Sequence, residues 1–333
     1  MNRLIRILIL LIFLAGRSYS QPAEILQRFE FSHKSMGTLF RIICYADQEE
    51  IAKQIRDRAF ERIDELNFIM SDYLPDSELN RLSRNSGSGN YTQVSSDLYV
   101  VLRLGQQWAI KTNGIFDITI GPYSQLWRRA GRKEKLPTPD QIQRASESVG
   151  YKYIHIDKDS SAVKLCKERM QLDLGGIAKG YTVDVIYDMF VNSGIKKVLV
   201  DGGGDIRAGD PPPGKKGWGI FMENLVDDNH LVFISNTSIA TSGDLYRYVQ
   251  IDSIKYGHII DPRTGYGLTT RRTVTIQAAN CTEADVLAST ISIWGAEEGF
   301  IFLDDIPGVQ AVVVEEEDGN VMRYVHGSFD FFK

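Results

Sequence analysis

Short β-branched runs crowd into the second half of this chain: Lys197 to Val200, Leu231 to Ile234, Thr273 to Ile276 and Val309 to Val314, each bounded by Gly, Pro, Asn or Asp turns. Helical periodicity is heavier before residue 195. There Ile51, Ile55, Ala59, Ile63 and Leu66 recur at helical spacing between charges such as Glu50, Arg56 and Glu61, with Asp47 as the expected cap. A second helix is expected after Ser95-Ser96-Asp97, ending at Asn113-Gly114. Thr138-Pro139 introduces a third, and a fourth follows Gly176 and stops at Gly194. Segregated helices and strands predict an α+β fold, sheets flanked by helices, rather than a regular alternation around a parallel sheet.

With 43% apolar and 24% charged residues in 333, the chain can bury a large core, as one domain from residue 21 to 333 or as two structural halves of it. The one linker-like stretch, Asp210-Pro211-Pro212-Pro213-Gly214, is short enough to be a loop. A net charge of -5, with Lys and Arg scattered, argues against nucleic acid as a partner. Arg3 and Arg6, the apolar stretch Ile7 to Gly16, and Ser18-Tyr19-Ser20 before Gln21 have the three-part layout of a secretory signal over residues 1–20. As a helix, Ile7 to Gly16 would reach about 15 Å against a hydrocarbon core of about 30 Å, so a cleaved signal is expected rather than a span. No cysteine lies near its end to carry a lipid. Cys44, Cys166 and Cys281 are odd in number and widely spaced, which predicts buried thiols rather than a disulfide framework or a zinc site.

Chemistry is concentrated in Asp173-Leu174-Gly175-Gly176-Ile177-Ala178-Lys179-Gly180. The run follows an expected strand end at Leu172 and precedes a helix whose apolar face carries Val183, Ile186, Tyr187 and Phe190. Glycine there lets backbone approach a ligand, and a helix N-terminus attracts phosphate. Lys179 adds a compact positive charge and Asp173 an acceptor for a ribose or base. Gly-Gly alone would be an ordinary turn; the flanking Asp and Lys favour a phosphate ligand. Asp285 and Ser289 lie four apart on an expected helix and share a face, an oxygen pair suited to Mg²⁺. On their own they would be no more than an acid and a serine on a helix. Gly114 to Pro122 reads as a buried strand with Asp117 tying down a turn, and Asp201 to Asp205 as a tight turn of positive φ between two strands. Ala240 to Asp244 and His258 to Gly265 read as polar loops, with His258 a candidate proton acceptor.

In order, these segments resemble the signature set of the ApbE-type FAD:protein FMN transferases, a bacterial flavin-transfer family. The matching blocks are Met36-Gly37-Thr38, Met70 to Tyr73 with Ser77 to Asn80, Gly114 to Pro122, Asp173 to Gly180, Gly203-Gly204-Asp205, Ala240 to Gly243, His258 to Gly265 and Ala284 to Ser289. The resemblance implies that FAD is cleaved at its pyrophosphate and that FMN is joined to a Ser or Thr hydroxyl of an exported or membrane protein, while AMP leaves. It points to a membrane-associated electron-transfer subunit as acceptor, and to the periplasm or the outer side of the cytoplasmic membrane as the location.

By the same resemblance Met36 and Tyr73 pack on the flavin nucleotide, Ile115, Phe116 and Asp117 line its site, and Asp173, Lys179 and Ile259 hold the remainder. Mg²⁺ is expected on the backbone oxygen of Gly176 and on Asp285 and Ser289, where the family usually has Thr in place of the serine. Phosphoryl transfer is accelerated chiefly by positioning and by neutralising phosphate charge. Mg²⁺ and Lys179 would stabilise the departing AMP, and His258, or a carboxylate such as Asp261, would accept the proton of the incoming hydroxyl. Two other readings stay open: a pyrophosphatase in which water replaces the hydroxyl, and a flavin-binding protein without turnover, against which Asp285 argues. No Ser/Thr-Gly-Ala-Ser/Thr stretch is present, so self-flavinylation is not expected.

Overall fold

The computed structural model describes residues 26–222, 230–243, 248–317 and 319–328; the expected signal at 1–20, the start at Gln21, and Asp244 lie outside them. β1 (Gln27–Ser35) and β2 (Thr38–Ala46) form an antiparallel hairpin in register from Gln27 opposite Ala46 to Ser35 opposite Thr38. Its two connecting residues, Met36 at φ 49 and Gly37 at φ 70, are both left-handed, as a type I′ turn requires.

There follow α1 (Glu49–Met70), α2 (Glu78–Arg84), β3 (Thr92–Gln93), α3 (Ser96–Lys111), α4 (Gly121–Lys133), α5 (Pro139–Ser146), β4 (Ile154–Asp157), β5 (Ala162–Leu165) and α6 (Ala178–Asn192). Next come β6 (Val198–Gly202), β7 (Ile206–Ala208), β8 (Trp218–Met222), β9 (His230–Ile234), β10 (Thr237–Gly243), β11 (Tyr248–Ile251), β12 (Ile254–Gly257) and β13 (Arg271–Ala278). The described chain closes with α7 (Cys281–Trp294), α8 (Ala296–Leu303), β14 (Gln310–Glu317) and β15 (Asn320–His326).

One eight-stranded sheet in the order β1-β2-β6-β7-β10-β13-β14-β15 dominates, and every pairing in it is antiparallel. Smaller sheets are β3-β5-β4, β8-β9 and β11-β12. This is the α+β class that the segregated pattern predicts.

β6 and β14 carry continuous apolar runs, Val198 to Val200 and Ala311 to Val314, because both faces of the sheet are covered there. On β14, Ala311 and Val313 face the core cluster that holds residues of α3, α7 and α8, while Val312 and Val314 face the β8-β9 hairpin. On β6, Val198 and Val200 meet α1 and α6, and Leu199 faces the hairpin.

Caps set the helix starts where the sequence carries them. Ser95 Oγ accepts from Leu98 N (3.3 Å), so α3 begins at Ser96, and Thr138 and Gln141 close a capping box on α5. Gly194, at φ 91, follows α6.

Several expectations are corrected. Asp47 does not cap α1; Gln48 occupies that position without a side-chain bond, and Ile51 is exposed while its neighbour Ala52 is buried. Gly114 to Pro122 forms bends and a turn that run into α4, not a strand. Leu172 ends no strand either, because only Gln171 makes an isolated parallel bridge, to Ile120. Ala240 to Gly243 is no loop but part of β10, where Thr241 Oγ1 lies 3.0 Å from Thr275 Oγ1 across the pair with β13, so the hydroxyls satisfy one another. All three cysteines are free thiols; Cys44 and Cys281 are buried as expected, whereas Cys166 is exposed.

Candidate active site

α6 and α7 approach so closely near their N-termini that a Cβ on Gly180 would lie 2.5 Å from the Cys281 carbonyl oxygen and 2.9 Å from Asp285 Cβ. Ile177, at the N-cap of α6, offers no side-chain acceptor. Asp285 supplies one from α7, its Oδ2 accepting from Gly180 N at 3.1 Å. Asp184 returns the bond: it accepts from Cys281 N (2.9 Å), Thr282 N (2.8 Å) and Thr282 Oγ1 (2.6 Å) at the start of α7. Each helix therefore caps the other, and each carboxylate sits at the positive end of a helix dipole.

Lys179 extends from this junction to Asp205 and lies 3.9 Å from Asp285 Oδ1. Asp205 is delivered by the turn between β6 and β7, where Gly203 (φ 80) and Gly204 (φ 99) adopt the left-handed backbone anticipated there. Burial, reinforced by the neighbouring Asp285, pushes the Asp205 carboxyl up to about 7 against the opposing pull of Lys179. Burial likewise raises Asp285, opposed by Lys179 and by the Gly180 N–H. Desolvation would lower the Lys179 ammonium, but Asp205 and Asp285 outweigh it and hold its pKa above that of an ordinary lysine.

Gly176 sits where any side chain would press on this centre: a Cβ there would come within 3.0 Å of Ser289 Oγ and 3.2 Å of Phe116 Cε2. Ser242 Oγ of β10 is 3.5 Å from Ser289 Oγ. Among the described residues no group of three or more His, Cys, Asp or Glu could hold a metal. A cation here would need the mixed set of Gly176 carbonyl, Asp285 carboxylate and Ser289 hydroxyl. All three are hard oxygen donors of the kind Mg²⁺ accepts, and the side-chain-free space at Gly176 suits an ion.

At its other end the Asp173–Gly180 run is tied to α4. Asp173 N donates to Ile118 O (2.9 Å), its Oδ1 accepts from Gly175 N (2.8 Å) and its Oδ2 from Ser124 Oγ (2.5 Å). Arg128 Nη2 is 3.8 Å from Asp173 Oδ2 and 2.5 Å from Asp72 Oδ2, and its guanidinium lies 3.8 Å from the Tyr73 ring centroid.

Burial, then the nearby Asp173, lifts the Asp72 carboxyl up to about 6, with Arg128 opposing. A carboxyl raised above its unfolded value of 3.8 favours the fold below that pH, and the contribution is lost as pH rises through about 6. Asp72→Asn lacks this titration and leaves Arg128 paired with Asp173. Its melting temperature relative to wild type is therefore expected to climb between pH 4 and pH 7; a flat difference would contradict the assignment.

The remaining expected residues divide. Met36, at the hairpin tip, accepts through Sδ from Thr182 Oγ1 of α6 at 3.5 Å. Ile115 and Phe116 are buried in the turn before α4, and Phe116 reaches Gly176. The Asp117 carboxylate is taken up by that turn, accepting from Thr119 N (2.8 Å), Thr119 Oγ1 (2.7 Å) and Tyr151 N (2.9 Å). It shapes the loop that presents Phe116. His258 is exposed after β12, and Ile259 O accepts from Leu268 N at 2.9 Å. Asp261 binds Arg263 through N (2.9 Å), Nε (3.0 Å) and Nη2 (2.8 Å). This loop leans on α4, with Trp127 Nε1 donating to Gly265 O at 2.8 Å.

Sequence reasoning missed Asp205 as a site residue, although its Gly-Gly-Asp turn was noted. It also missed Arg128, Asp72 and Ser124, which meet partners far along the chain: Ser124 and Asp173 are 49 residues apart, Arg128 and Asp72 are 56.

Known proteins resemble this chain in sequence and in fold. The FAD:protein FMN transferase of Vibrio cholerae is 30% identical, covering 97% of this chain and 96% of its own length. The protein of that description from Treponema pallidum is 29% identical over 84% of this chain and 82% of its own. Among solved structures, the flavin transferase ApbE from Vibrio cholerae superposes with a TM-score of 0.82 at 27% identity, covering 92% of this chain and 100% of that one. The ApbE protein from Thermotoga maritima gives 0.79 at 28% identity over 89% and 97%. A family model described as the ApbE family matches residues 36–313, from the Met36 turn through both capped helices to Val313 of β14. The match takes in the whole α6–α7 junction with Lys179, Asp205 and Asp285, and the chain belongs to the ApbE family.

Proposed function

We propose that the protein is a Mg²⁺-dependent FAD:protein FMN transferase, moving FMN from FAD to a Ser or Thr hydroxyl of an exported or membrane-associated protein and releasing AMP. The activity named for its relatives supports the reading. The observation that carries it is the part-buried junction where Lys179, Asp285, Ser289 and the Gly176 backbone meet at the start of α6.

Two carboxylates against one ammonium leave this centre short of positive charge, a deficit that suits a divalent cation facing a pyrophosphate. Bound at Gly176, Asp285 and Ser289, Mg²⁺ would supply that neutralisation. Asp205 and Asp285 hold Lys179 charged and in place, so it can stabilise the AMP phosphate without reorganising. Tyr73 and Asp173 hold the nucleotide at the α4 end of the run, with Met36 and Phe116 bordering it. The acceptor hydroxyl oxygen forms a bond to the FMN phosphorus as the P–O bond to AMP breaks, and its proton passes to a ring nitrogen of His258. Asp261, engaged with Arg263, is the weaker candidate for that proton. Arg3, Arg6 and the apolar stretch to Gly16 support export, and an electron-transfer subunit at the membrane surface is the acceptor class we favour.

The test is to incubate the protein lacking residues 1–20 with FAD, Mg²⁺ and such an acceptor, following AMP release and flavin fluorescence retained on denatured protein. Both signals are expected, with a slower rate for His258→Ala. AMP with only free FMN would make the enzyme a hydrolase, and neither product would overturn the proposal.

A further inference from the structure

We infer that Arg128 is a positioning residue for nucleotide binding, fixing the Tyr73 ring and the Asp173 carboxylate in one pre-formed arrangement; the inference rests on the proposed use of FAD. Ser124 and Arg128 are four apart on α4 and so project from one face. Ser124 bonds Asp173, while Arg128 joins Asp72, Asp173 and the face of Tyr73.

Tyr73 is 74% exposed, and such a side chain would ordinarily sample several rotamers. Its backbone is already fixed: Ser71 Oγ accepts from Tyr73 N (3.2 Å), and Asn80 Nδ2 donates to the flanking Asp72 O (3.1 Å) and Leu74 O (2.8 Å). What remains free is the ring, and the planar guanidinium against one face restrains it while the ring stays open to a flat ligand. A restrained ring loses less entropy when a nucleotide stacks on it. A lysine could pair with the carboxylates but offers no plane to the ring. Arg128 is not placed as a phosphate anchor, because two carboxylates already flank its one positive charge.

The test measures FAD affinity by flavin fluorescence quenching for wild type, Arg128→Met and Arg128→Lys, each also in a Tyr73→Ala background, with melting temperatures to establish folding. Arg128→Met is expected to weaken FAD binding about tenfold, the scale of one cation–π contact and the order it imposes. The rate at saturating FAD should change much less than the KM. In the Tyr73→Ala background the Arg128→Met effect should shrink to the part carried through Asp173, and Arg128→Lys should recover only a minor part of the affinity. Undiminished affinity in folded Arg128→Met, or equal losses in both backgrounds, would overturn the inference and leave the flavin reading standing. Failure of the wild-type protein to bind FAD would overturn both.

Discussion

Asp285→Ala is expected to abolish flavin transfer and to lower stability together, and both losses have one origin. The carboxylate caps α6 through Gly180 N, stands 3.9 Å from Lys179 as its second counter-charge, and is proposed as an ion ligand with Gly176 and Ser289. Truncation to alanine leaves a buried N–H without its acceptor, at a cost of about 1–3 kcal/mol. It also removes charge complementarity at the transferred phosphate, for which a rate loss of roughly 10²-fold or more is expected. Asp285→Asn separates the effects. Its amide oxygen can still accept from Gly180 N, so most of the stability should remain, while the negative charge and the Mg²⁺ response disappear. FAD binding should survive in both variants, since Tyr73 and Asp173 are held from α4. Thermal unfolding alongside AMP release titrated with Mg²⁺ reads all three quantities; wild-type Mg²⁺ dependence in the asparagine variant would refute the ligand role.

Lys179→Met should be the more damaging change to the fold. Asp205 is 2% exposed and, with Asp285, would be left as a buried carboxylate pair with no cation. Removing one partner from such an arrangement costs up to about 3–5 kcal/mol, with the lower end expected because about a quarter of Lys179 remains exposed (24%). The penalty should depend on pH. Asp205 already titrates near 7 in the fold, so its favourable contribution is present in acid and lost as pH rises through that value. Without Lys179 to oppose it, the loss deepens. Urea unfolding at pH 5 and pH 8 should show the variant much weaker at pH 8, and Lys179→Met with Asp205→Asn should recover part of the difference. Equal destabilisation at both pH values would mean that Lys179 is held by packing alone.

What the sequence revealed of this architecture follows from how local each signal is. The starts of α3 and α5 and the end of α6 were legible because Ser95, Thr138-Pro139 and Gly194 each act within one turn of the backbone. The β1-β2 hairpin was not, because its type I′ turn uses Met36-Gly37 rather than Asn-Gly, and β1 alternates only weakly along an edge. Ala240 to Asp244 reads as a loop because Thr241 and Ser242 look polar in isolation; across the sheet Thr241 meets a threonine of β13. Gly114 to Pro122 reads as a strand because Ile115, Phe116, Ile118 and Ile120 are apolar, but Asp117 folds the stretch into turns.

The site divides in the same way. Asp173, Gly176, Lys179 and the Asp285–Ser289 pair stood out because each lies in a dense local motif. Arg128 had no such company on α4, and Asp205 gains its character from a lysine 26 residues upstream and a carboxylate on another helix.

The two edge strands of the large sheet, β1 and β15, are the first and last strands described. With all seven pairings antiparallel, β1 begins and β15 ends at the same end of the sheet but on opposite sides. Seven inter-strand spacings separate them by about 33 Å along the sheet. A circular permutant that fuses these ends would therefore need a bridge of roughly ten extended residues, and a shorter one would have to peel an outer strand from its neighbour.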